Sequence, residues 1–145
     1  MKLYTIGFEG KFAQEFFELI KNNQIDCLVD IRILPTSDDA GFASQRDLPY
    51  LLKEVAGCDY KYMIELAPTL NLLDDVHRDH DHDKYARGFH QLMEERKIPH
   101  SLDRKFFEKQ TCCLLCFEAT AEFCHRRLVV ERVQKYWEDV EVIHL

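Results

Sequence analysis

The stretch "CFEATAEFCHR" sets two thiols, a carboxylate, an imidazole and a guanidinium within eleven residues: Cys116, Glu118, Cys124, His125 and Arg126. Each type brings a defined chemistry. A thiol at a helix start beside His and Arg is a candidate nucleophile, which singles out Cys124. His125 would carry protons near neutral pH, and Glu118 would orient it or act as a base itself. The free N–H groups of a helix start, joined by Arg126 or Arg127, would grip a phosphate or carboxylate. Cys116 and Cys124 together suit thiol redox or sulfur transfer equally well. Cys27, Cys112 and Cys113 alternate with apolar residues inside strands and read as core.

Such a site needs a frame, and the hydrophobic pattern supplies one. "KLYTIGF", "IDCLVDIRIL", "CDYKYMIEL", "TCCLLCF" and "VEVIHL" read as five strands. Helical spacing separates them: Phe12, Phe16, Leu19 and Ile20 in the first helix, then Leu48, Leu51, Leu52 and Val55 in the second. Tyr85, Phe89, Leu92 and Met93 mark a third. The segment "ATAEFCHRRLVVERVQKYW" predicts a last helix, with Thr120 as its N-cap. Residues 67–83 read as a long polar loop. Nearly continuous apolar strands alternating with helices predict one α/β domain over residues 1–145. Its mainly parallel sheet of about five strands would carry helices on both faces, a Rossmann-like three-layer sandwich.

Open parallel sheets bind ligands beyond the carboxyl ends of their strands. That rule gathers Gly7 from strand one, Asp30 and Arg32 from strand two, Glu65 from strand three, and Cys116 and Glu118 from strand four. Arg126 follows on the next helix. The expected ligand-binding set is therefore Asp30, Arg32, Arg126, Glu65 and Gly7, and the expected catalytic set is Cys124, His125, Glu118 and Cys116.

The formal charge of −7 disfavours sequence-independent binding to nucleic acid, which requires Lys and Arg to displace counterions. No apolar run approaches the roughly 20 residues of a membrane span. "MKLYTIGFEG" lacks the pattern of a signal peptide. A cytoplasmic protein is the resulting expectation.

"LLCFEATAEFCHRRL" resembles the signature of the domain of unknown function 488 family, in which Cys-x-Glu precedes a Cys-His-Arg triplet. "LYTIGF", "LVDIRILPTS" and "YARGFHQLMEE" resemble further segments of that family, so the likeness covers nearly the whole chain. Phe8 stands where the family commonly has His, Asp38 where it tends to have Arg, and Ala67-Pro68 where a Gly pair is usual. The resemblance sharpens the site and supplies no reaction.

The His77, His80 and His82 segment, "HRDHDHD", lacks a standard metal-ligand spacing, and no metal or other cofactor is expected. Three function classes follow. The first is an enzyme acting on, or a protein binding, a small anionic or nucleotide-like molecule. The second is a thiol redox or sulfur-transfer protein using Cys116 and Cys124. The third is a non-catalytic binding or regulatory module.

Overall fold

The computed structural model describes all residues, 1–145. Strands β1 (Lys2–Gly7), β2 (Cys27–Asp30), β3 (Asp59–Tyr62), β4 (Cys112–Cys116) and β5 (Glu141–His144) form one sheet in the order β3-β2-β4-β1-β5. Every pairing is parallel. Every residue of β2 and β4 is buried, as strands covered on both faces require.

Alternation along the strands sorts side chains to two cores. Tyr4, Ile6, Leu28, Cys113 and Leu115 pack with Phe16, Phe17 and Ile20 of α1 (Ala13–Asn22) and Leu48 of α2 (Leu48–Leu51). Leu3, Cys27, Val29, Cys112 and Leu114 face the other way. They meet α3 (Leu70–Asp79), α4 (His82–Glu95), α5 (Arg104–Glu108) and α6 (His125–Tyr136). The result is the predicted three-layer α/β architecture. Cys27, Cys58, Cys112 and Cys113 are all buried in it.

Three local readings need correction. Residues 67–83 are not a loop but contain α3 and the start of α4. Leu72, Leu73 and Val76 give α3 its short inward apolar face, while Leu70 is exposed. Thr69 caps it by accepting from the Leu72 N–H, and Asp81 caps α4 by accepting from that of Lys84. His80, in the left-handed region at φ 55°, makes the turn between them. The charges that suggested a loop are caps and solvent-facing positions.

The last helix starts at His125, with Cys124 rather than Thr120 as its N-cap. Residues 117–124 stay irregular because guanidinium groups take the carbonyls a helix would need. Arg126 donates to those of Glu118 and Ala119, and Arg127 to that of Glu122. In the second helical segment, Leu48 and Leu52 turn inward while Val55 is exposed, because the turn widens to a π form over Leu52–Ala56. No helix is long and apolar enough to cross a membrane.

Candidate functional site

The chain leaves β2 toward β3 on one side and leaves β4 toward β5 on the other. β2 and β4 are neighbours, so their carboxyl ends flank a topological switch point, where crevices form in such sheets. Register makes this concrete: Asp30 lies opposite Leu115, and Gly7 opposite Cys116.

At the end of β2, Arg32 folds back on Asp30 in a two-pronged ion pair. Its Nε donates to Oδ1 at 2.8 Å and its Nη2 to Oδ2 at 2.7 Å. Both side chains are buried. The Tyr60 hydroxyl donates to the same Oδ2 at 2.6 Å, and the Tyr62 hydroxyl donates to the Arg32 carbonyl at 2.8 Å. Burial, reinforced by Asp30, pushes the Tyr60 phenol strongly upward, so it remains a donor. Arg32 is thus held from several directions, yet its Nη1 is buried with no hydrogen-bond partner. Its guanidinium carbon sits 5.2 Å from the centre of the Phe8 ring.

Arg32 forms part of the wall of a cavity of about 230 Å³. Phe8 and Phe117, edge to face at 5.1 Å, join Leu34, Pro68 and Leu73 on its apolar side. Glu118, His77, His125, Ser37 and Asp39 supply polar groups. Burial raises the Glu118 pKa, so this carboxyl holds its proton to higher pH than an exposed one.

Burial and one fixed partner set His125 apart from an imidazole free to titrate near neutral pH. Its Nε2 lies 2.8 Å from the Ile31 carbonyl, which only an N–H can satisfy, leaving Nδ1 as an acceptor 3.9 Å from Cys124 Sγ. Burial lowers its pKa to about 4. An imidazole neutral in the fold and protonated in the unfolded chain makes stability fall as pH drops. The contribution is complete above the unfolded value of about 6.5 and disappears as pH falls toward 4. Its full size is about 3 kcal/mol, from roughly 1.36 kcal/mol per unit. Urea unfolding at pH 7 and pH 4 should show a loss of that order in the natural chain and a smaller one in His125→Gln.

Arg126 does not line the cavity and is buried under the 117–124 loop. Its Nη1 donates to the Glu118 carbonyl at 2.8 Å and to Cys116 Sγ at 3.4 Å. Gly7 makes room for this arrangement. A Cβ there would stand 1.6 Å from the Glu118 carbonyl oxygen and 2.4 Å from Arg126 Nη1. Cys116 and Cys124 are both buried with their sulfurs in contact, and their Cα atoms are 7.5 Å apart.

Of the residues selected from sequence, Arg32, Glu118 and His125 line the cavity. Asp30, Cys116, Cys124, Gly7 and Arg126 support that wall from outside the lining. Glu65 is not brought in. β3 ends at Tyr62, and Glu65 sits exposed in the following turn, where its carbonyl accepts from Arg96. Sequence reasoning missed Tyr60, Tyr62, Phe117 and Leu73. For the two tyrosines the signal was the adjacency of β3 to β2. His77 lines the cavity, His80 forms the turn and His82 stacks on Phe123, so the three histidines serve three different places. The side chains that bring three ligand atoms within 4.8 Å are Cys116, Glu118 and Cys124. The Arg126 guanidinium beside Cys116 opposes a cation there.

The family model of the domain of unknown function DUF488 matches residues 13–133. The chain belongs to this family. The matched span runs from α1 into α6, so it contains the Asp30–Arg32 pair, both sulfurs and the Cys-His-Arg triplet. Gly7 and Phe8 lie before it. No curated protein and no solved structure matches the chain.

Proposed function

We propose that the chain binds a small ring-bearing anion, a carboxylate or phosphate of nucleotide-like size, in the cavity beyond β2 and β4. The observation that carries this reading is Arg32: a buried guanidinium, fixed by Asp30, on the cavity wall with one nitrogen unpartnered. Buried N–H groups left unpaired are costly, and an anion that reached Nη1 through a small shift of the cavity wall would remove that cost. Phe8 and Phe117 offer aromatic surface for a ring. The Glu118 carboxyl, with its pKa raised by burial, suits proton transfer to or from the bound molecule.

Phenyl phosphate tests the reading. Isothermal titration should show saturable one-to-one binding, tighter than that of inorganic phosphate. Ionised Glu118 repels an anion, so affinity should weaken as pH rises through its titration. The Glu118→Gln variant should lose that part of the pH dependence. A wild-type chain that binds neither compound at millimolar concentration contradicts the proposal.

A further inference from the structure

The cavity reading makes no use of the two sulfurs behind its wall. We infer that Cys116 and Cys124 form a reversible dithiol–disulfide site for a small peroxide, and that its state sets the position of the 117–123 loop. Three observations converge. The sulfurs, from the end of β4 and the N-cap of α6, are in contact. Arg126 Nη1 donates to Cys116 Sγ, and a guanidinium beside a sulfur is a setting in which thiols react. The same nitrogen donates to the Glu118 carbonyl, so a change at the sulfur reaches the loop through one shared donor.

A bond between the two sulfurs ties the end of β4 to the N-cap of α6 across the loop that carries Phe117 and Glu118, and opening it releases that tie. Both sulfurs are buried, which favours an oxidant as small as a peroxide over a bulky disulfide. Glu118 and His125, both on the cavity wall, each approach one sulfur, at 3.7 Å and 3.9 Å.

The chemistry balances with the peroxide as two-electron oxidant. Cys116 sulfur attacks one peroxide oxygen, the O–O bond breaks, and sulfenic acid and one water form. Cys124 sulfur then displaces the hydroxyl as a second water, leaving the S–S bond. A dithiol reductant reverses it by thiol–disulfide exchange. The thiol chemistry stands independently, and only its consequence for a ligand rests on the cavity reading.

The test treats fully reduced full-length chain with stoichiometric hydrogen peroxide. Thiols counted after denaturation should fall from the six of the sequence to about four, with peptide mapping linking Cys116 to Cys124. Dithiothreitol should restore all six. Cys116→Ala should keep its five remaining thiols, whereas Cys124→Ala should lose one, as a Cys116 sulfenic acid that no second sulfur resolves. Hydrogen exchange over residues 117–123 should differ at least threefold between the two forms, as should phenyl phosphate affinity.

An unchanged thiol count, a different pairing, or irreversible oxidation overturns the site. A Cys116–Cys124 disulfide with unchanged exchange overturns the coupling to the loop. A reversible disulfide with altered exchange, in a chain that binds phenyl phosphate in neither form, supports the switch and counts against the cavity reading alone.

Discussion

Arg32→Met should lose about 3–5 kcal/mol of folding stability, the usual cost of leaving one member of a buried ion pair without its partner. Asp30, fully buried, would keep only the Tyr60 hydroxyl and the main-chain N–H of Arg32 in place of the two guanidinium bonds. Adding Asp30→Asn should recover part of the loss, because the stranded charge is then gone. Arg32→Lys should fall between, since a single ammonium cannot reproduce the fork. Urea unfolding of the natural chain, Arg32→Met, Asp30→Asn and the double variant gives the cycle directly. A loss below about 1 kcal/mol for Arg32→Met would mean the pair behaves like an exposed one and is not the rigid base of the site.

Gly7→Ala should be the second severe change. The added Cβ meets the Glu118 carbonyl oxygen at 1.6 Å, a backbone atom that no side-chain rotation can move aside. Relief requires shifting the loop after β4 and breaking the hold of Arg126 on it. We expect destabilisation of about 3 kcal/mol or more, at or above the upper end of ordinary overpacking. Gly57→Ala is the control. Its φ of +61° costs an L residue about 1 kcal/mol, but nothing lies within 4 Å of the added atom. Thermal or urea unfolding should therefore rank Gly7→Ala well below Gly57→Ala in stability, and the reverse order would contradict the close approach.

The frame was legible in the sequence because apolar runs and helical spacing both follow from burial, and burial follows from fold. β2 and β4 read as two-sided core strands and are so. The site was legible only as a neighbourhood. The rule for parallel sheets brought Asp30, Arg32, Cys116 and Glu118 to one edge, but side-chain direction is set by partners distant in sequence. Arg126 looked like a ligand grip because it follows a helix start. Two of its nitrogens donate to the carbonyls of Glu118 and Ala119 outside the cavity lining. His125 looked like a neutral-pH base, and the Ile31 carbonyl holds its Nε2–H in a buried setting. Glu65 was placed by extending β3 three residues too far. Residues 70–79 were missed as helix because four apolar residues, one of them exposed, among many charges make a weak stripe, stabilised here by caps and by packing on α4.

Arg32 Nη1, the nitrogen proposed to hold the anion, can be watched directly. Nuclear magnetic resonance of the arginine guanidinium groups, titrated with phenyl phosphate at pH 6, reports each side chain separately. The Arg32 resonance should shift saturably, at the affinity found by calorimetry, with little change at surface residues such as Arg46 and Arg78. Shifts confined to those surface groups, or an Arg32 resonance unmoved at saturation, would show that the cavity beside β2 does not hold the anion.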